Sequence, residues 1–233
     1  MPAVLAAERE RVAAAARDLA ATGLVRGTSG NVSLRAGDHV AVTPTGGQLA
    51  LLRAEQIAVV DLAGRHVHGP LQATSELDLH LSAYRRHGCG AVVHSHATAA
   101  TAVGTVLDLE LPLIHYEMLL LGGPVRVAPF APFGTPELAE LVADALADGR
   151  QAALLANHGA VTVGHDLDAA VAHTHLLEWL CEVYLRAAPA AGAGGPRTLD
   201  AAQQQAVIDA AVARRYGQTH AADDQAADPG APQ

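Results

Sequence analysis

Apolar positions recur along this chain in two periods, and the alternation between them lays out its elements. Residues 3 to 22 set Val4, Leu5, Val12 and Leu19 among alanines and charges, a helical spacing that stops at Gly23. The turn Arg26-Gly27-Thr28-Ser29-Gly30-Asn31-Val32-Ser33 leads into a strand. Short β-branched runs at 40–43 and 57–62 read as further strands, with a short helical piece over 49–55 between them. Residues 64–69 read as a hairpin or loop in which His66 and His68 are solvated. Thr74-Ser75-Glu76 opens a helix from Leu77 to His87, a hydroxyl residue ahead of an apolar-periodic segment being an N-cap signal. Residues 90–96 read as a buried strand, 97–106 as a helix, and 113–116 and 124–128 as strand material. Thr135 caps the next helix with Pro136 at its first position; it runs to about Asp148 and closes at Gly149. Strands near 152–156 and 160–163 follow. Asp166 then caps a long helix to about Ala188, with a stripe of Leu167, Val171, Leu177, Leu180 and Tyr184. A Gly/Ala/Pro linker over 189–196 precedes a last helix at 199–215. There is no internal repeat. The pattern predicts one α/β domain over residues 1–216 and a polar, disordered tail over 217–233.

Composition narrows the function classes. The 233 residues suffice for one sizeable α/β core, and the 50% hydrophobic share comes largely from Ala, Leu and Val, with 3% aromatic. A net charge of −9 argues against nucleic acid or an anionic membrane as partner. No apolar run reaches the ~18 residues of a membrane span, and Glu8, Arg9, Glu10 and Arg11 interrupt any signal-peptide pattern. Cys89 and Cys181 do not form a disulfide framework, so a reduced, cytoplasmic protein is expected. All 15 basic residues are arginine. Without lysine the chain cannot form a Schiff base, so any carbon–carbon chemistry beside a carbonyl calls for a metal as electron sink.

The candidate chemistry centres on residues 74 to 96. On a strand His94 and His96 face the same side, roughly 7 Å apart at Cα, which lets two imidazoles converge on one ion. His158, where the apolar run 152–156 ends before Gly159, is a third candidate, and Glu76 a nearby carboxylate; together they suit tetrahedral zinc. Hydrogen-bonded structural histidines would also fit the same residues, since spacing alone does not bring the four together. His173-Thr174-His175 is an internal contrast: on a helix its two imidazoles sit about 200° apart and cannot share a metal from one face. Two small-residue turns, 26–33 and 44–47, and the helix start at Thr74-Ser75 present N–H groups and hydroxyls suited to an anion. Ordinary tight turns and simple capping would look alike.

Taken in order, Gly27-Thr28-Ser29-Gly30-Asn31-Val32-Ser33, Thr43-Pro44-Thr45-Gly46, Thr74-Ser75-Glu76, His94-Ser95-His96, His115-Tyr116, residues 133–138 and Asn157-His158-Gly159 resemble the class II aldolase/adducin superfamily, within it the L-fuculose-1-phosphate aldolases. The resemblance spans about residues 10 to 188. It implies a three-layer α/β/α fold with a central, largely antiparallel sheet, and a homotetramer with active sites at subunit boundaries. It implies His94, His96 and His158 as ligands of one zinc, or another divalent metal, per subunit, with Glu76 as the acid/base that also approaches the metal. Asn31, Thr45, Gly46 and Ser75, with Thr28, Gly30 and Thr74, resemble its phosphate cradle. Tyr116 resembles a proton donor supplied across a subunit boundary, and Tyr216 a tyrosine of the C-terminal tail. The implied reaction is cleavage of a ketose 1-phosphate, a small sugar phosphate, to dihydroxyacetone phosphate and an aldehyde through a zinc-stabilised enediolate. Pentulose-phosphate epimerases share the site but carry Asp where Glu76 stands. Methylthioribulose-1-phosphate dehydratases and sugar-acid phosphate decarboxylases share the histidines, and an adducin-like binding module without catalysis is the reading from another class.

Overall fold

A computed structural model describes residues 4–216. Helix α1 (Ala6–Ala21) leads through an antiparallel run of β1 (Asn31–Ala36), β2 (His39–Val42), β3 (Ala58–Asp61) and β4 (His66–His68). Helix α2 (Leu77–His87) then delivers the chain to β5 (Ala91–Ser95). A short α3 (Thr98–Val103) and a two-residue β6 (Glu110–Leu111) precede β7 (Val125–Ala128), α4 (Pro136–Ala145), and the hairpin β8 (Ala152–Leu155) and β9 (Gly159–Gly164). Helix α5 (Leu167–Ala187) follows, then α6 (Ala201–Ala213).

The nine strands form one sheet in the order β4-β3-β2-β1-β5-β9-β8-β7-β6. Where a largely antiparallel sheet was expected, the sheet is mixed: β7 and β8 run parallel, joined by the crossover helix α4, and the other seven pairs are antiparallel. Helices cover both faces. Val92, Val161 and Val163 pack in one cluster with residues of α2 and α4. Thr162, between the two valines, points the other way and hydrogen-bonds Thr174 of α5 at 2.7 Å.

The chain to Thr198 forms one compact unit, and residues from Leu199 form a second that contains α6. Helix α6 opens on a capping box of Asp200 and Gln203, and none of its residues is buried. The predicted tail over 217–233 lies outside the described residues. Among the described residues no helix is long and apolar enough to cross a membrane.

Thr135 and Asp166 cap α4 and α5 as their positions predict, each accepting from a backbone N–H three residues on. Two elements differ from expectation. Residues 113–116 do not form a strand: Pro112 has no N–H for a ladder, Ile114 N–H bonds its carbonyl at 2.8 Å, and the His115 ring accepts from Glu117 N–H to start a 3-10 helix over Tyr116–Leu121. The helix predicted over 97–106 is cut to six residues, its N-terminus held by the Glu178 carboxylate, which accepts from Ala99 and Ala100 N–H at 2.8 Å each.

Candidate active site

The registers of β1, β5 and β9 assemble the site. β5 runs antiparallel to both neighbours, so its end lies beside their beginnings: Asn31 pairs with His94, and Ser95 with Ala160. The chain can come this close only because of glycine. A Cβ on Gly159 would lie 2.3 Å from the Ser95 carbonyl oxygen, and one on Gly30, whose φ is +97°, 2.8 Å from that of His94. The turn between β8 and β9 puts Asn157 in the left-handed region, φ 55°, and swings His158 over the end of β5.

His94, His96 and His158 meet there, with ring centroids 4.8–5.0 Å apart and ligand atoms all within 4.8 Å of one another. The ring of buried His94 donates from Nδ1 to the Ala160 carbonyl at 3.0 Å, which leaves Nε2 as a bare lone pair facing His96 Nε2 at 3.0 Å. Two nitrogens on a tetrahedral zinc stand about 3.3 Å apart, so the spacing suits a shared ion. Burial, then the neighbouring imidazoles, holds His94 well below the usual histidine range, and burial followed by His158 lowers His96. Both are therefore neutral at pH 7, as ligands must be.

Glu76 completes the group. The sequence predicts it in the first turn of α2, but it stands at the N-cap position, where Thr74 Oγ1 accepts from its N–H at 3.2 Å. Its Oε2 lies 3.3 Å from His94 Nε2 and accepts from Asn31 Nδ2 at 2.9 Å. Its Oε1 lies 3.6 Å from His158 Nε2 and is buried without a hydrogen bond. An orphaned carboxylate oxygen beside three converging imidazoles is a donor set that fits a divalent cation.

The group opens into a cavity of about 710 Å³. Thr28, Gly30, Asn31, Thr45, Gly46, Thr74 and Ser75 line it, together with Glu76, His96 and His158. Tyr116 does not. It stands on the 3-10 helix, 40% exposed, with its ring tilted on His115 at 4.5 Å. Tyr216 belongs to the second unit. The His173–His175 pair behaves as helix packing: His173 Nδ1 bonds the Val163 carbonyl at 2.7 Å.

Sequence reasoning missed two sets of residues. Phe130 and Phe133, 64% and 71% exposed, line the same cavity. Ser33, His80 and Tyr84 continue inward from Asn31 as a buried hydrogen-bonded row: His80 Nε2 lies 2.5 Å from Asn31 Oδ1, and Ser33 Oγ lies 2.6 Å from both His80 Nδ1 and the Tyr84 hydroxyl. The signal was present, since Glu76, His80 and Tyr84 recur at four-residue intervals on one helical stripe. Burial pushes His80 down to about 3, with the adjacent His94 adding to the effect, and raises the Tyr84 hydroxyl.

Residues 10–185 match the Class II Aldolase and Adducin N-terminal domain family. The chain is 37% identical over 211 residues to a 5-methylthioribulose-1-phosphate/5-deoxyribulose-1-phosphate aldolase of Rhodospirillum rubrum, covering 90% of this chain and 93% of that protein. It is 42% identical over 165 residues to an L-fuculose phosphate aldolase of Escherichia coli, covering 70% and 75%. A solved L-fuculose 1-phosphate aldolase superimposes with a TM-score of 0.80 at 30% identity, over 88% of this chain and 95% of that one.

Proposed function

The chain belongs to the class II aldolase and adducin family, close to the L-fuculose-1-phosphate aldolases, and from that premise we propose that it cleaves a ketose 1-phosphate to dihydroxyacetone phosphate and an aldehyde. One observation carries the reading: three converging imidazoles and an orphaned carboxylate oxygen stand beside a hydroxyl- and amide-lined cradle, in a cavity that His96, His158 and Glu76 line. His94, His96 and His158 hold the metal, zinc by preference, with Glu76 beside it. When bound, the metal supplies Lewis-acid stabilisation of the negative charge that develops on the carbonyl side.

The residues of the chain divide the remaining work. Asn31, Thr45, Gly46 and Ser75, with Thr28, Gly30 and Thr74, hold the phosphate through neutral N–H and O–H donors, since the chain has no lysine and no arginine stands among the described residues that line the cavity. In the cleavage direction the C3–C4 bond breaks. The C4 hydroxyl gives up its proton and becomes the aldehyde, and the electron pair stays on C3. Glu76 Oε1, free of protein hydrogen bonds, delivers the proton that C3 takes up. Tyr116 serves the C4 hydroxyl. Its place on an exposed turn away from its own chain's cavity supports donation from a neighbouring subunit of a homotetramer, which light scattering tests: an active monomer would refute it.

Phe130 and Phe133 favour an aldehyde that ends in an apolar group. The Rhodospirillum rubrum relative, named for methylthio and deoxy substrates, lies in the same direction. The test is a panel of 5-deoxyribulose, 5-methylthioribulose, fuculose and rhamnulose 1-phosphates, with dihydroxyacetone phosphate read through a coupled glycerol-phosphate dehydrogenase. Release from the first two above the others is expected. No release from any, with metal stoichiometric, would refute the aldolase reading and bring forward the dehydratase one.

A further inference from the structure

The buried row behind Asn31 has only one consistent set of donors. Glu76 is an acceptor when ionised, so the atom of Asn31 facing its Oε2 at 2.9 Å is the amide nitrogen, and the amide oxygen faces His80. That oxygen can only accept, so His80 Nε2 carries the hydrogen. A neutral imidazole then has a bare Nδ1, which must accept from the Ser33 hydroxyl. Ser33 has spent its single hydrogen, so the Tyr84 hydroxyl donates to it. Every donor in the row points the same way, from Tyr84 towards Glu76. All five side chains are buried, and Ser33, His80 and Tyr84 stand behind the cavity lining, which excludes water as a competing partner among those three and raises the cost of a break there.

We propose that His80, Ser33 and Tyr84 are positioning residues that lock the Asn31 amide in one orientation, aiming one N–H at Glu76 and the other into the phosphate cradle. The second N–H has no protein acceptor among the described residues, and Asn31 lines the cavity. A flipped amide would set its carbonyl oxygen against both the carboxylate and an incoming phosphate. The row thus ties the state of the acid/base to phosphate binding through a single side chain. Its role rests on the reaction proposed above, but its orientation does not.

Two experiments separate these. In protein carrying ¹⁵N-labelled histidine, the resonances of His80, identified by their loss in His80→Gln, are expected to show the Nε2–H tautomer, unchanged between pH 6 and pH 8. An Nδ1–H tautomer, or protonation in that range, overturns the row whether or not the protein proves to be an aldolase. Second, inorganic phosphate affinity and the kinetic constants for the ketose 1-phosphate are compared across His80→Gln, His80→Leu and Tyr84→Phe. Gln keeps an N–H donor for Asn31 and cannot ionise, so its constants are expected within a few-fold of wild type. Leu removes the donor, and a loss of about 10–100-fold in kcat/KM is expected, shared between kcat and KM, with phosphate binding weakened about tenfold. Simple loss of folded enzyme would lower kcat and leave KM and phosphate affinity unchanged, which would overturn a positioning role. Tyr84→Phe removes only the far end of the row and supplies a milder variant should Leu fail to fold; a KM rise in the same direction is expected. Wild-type protein that neither binds phosphate nor cleaves the ketose refutes the proposed function and leaves the tautomer measurement standing.

Discussion

His80 makes the protein sensitive to acid in a way that can be calculated. Its imidazole is fully buried in a row that needs it neutral, and burial lowers its pKa from 6.5 to about 3. Between those two values the unfolded chain binds a proton that the folded chain does not. Stability therefore rises with pH across this window and is lost as pH falls from about 6.5 towards 3. At about 1.4 kcal/mol per unit of separation, going from pH 7 to pH 5 removes about 2 kcal/mol through this one residue. His94 and His96, lowered for related reasons, add to the slope. Urea unfolding of wild type and His80→Gln at both pH values isolates the contribution, because glutamine can donate to Asn31 yet does not titrate. The variant is expected to lose about 2 kcal/mol less than wild type between pH 7 and pH 5. Equal losses in the two proteins would show that His80 is not held neutral by the fold, and the argument from burial would fail.

Three further outcomes are expected. Replacing His96 by Ala should strip most bound metal, whereas His175→Ala should leave it, and elemental analysis of the two purified proteins decides between the pairs. Glu76→Gln should keep the fold but slow deuterium exchange into dihydroxyacetone phosphate by ~10²–10⁴-fold, the usual contribution of a general acid–base group; wild-type exchange would assign the base elsewhere. Gly159→Ala should cost about 1–3 kcal/mol in denaturant unfolding, since the new Cβ would meet the Ser95 carbonyl oxygen; an unchanged midpoint would mean the β5–β9 approach is not as tight as described.

How much of this could be read from residues alone depended on the range of the interaction. Helix starts are local, and Thr135 and Asp166 announced theirs because a cap concerns three or four consecutive residues. His94 and His96 were legible as a pair for the same reason: a strand places them on one face whatever surrounds it. The meeting of His158 with them was not, because it follows from the β5–β9 register and the glycine that permits it, 60 residues away. The strand expected at 113–116 failed because Pro112 and the His115 ring offer the backbone other partners. The helix after His96 was overextended at its far end, where it stops at Val103 with Gly104 as its cap. His80 and Tyr84 escaped because polar residues inside an apolar stripe gain their meaning only once β1, which carries Asn31 and Ser33, lies across them.

The bond from His94 Nδ1 to the Ala160 carbonyl has a bearing on how such a centre can drift under mutation. The acceptor is main chain, so no codon specifies it, and exchange of the residue at 160 for another of similar bulk leaves the imidazole tautomer untouched. What encodes that tautomer is the alignment of two strands, a property spread over five residue pairs. Point substitutions can remove a ligand outright, but re-aiming this one requires an insertion or deletion that slides β9 along β5. The centre is therefore buffered against gradual change in its electronics, and a lineage that alters its chemistry is steered towards the cavity wall instead.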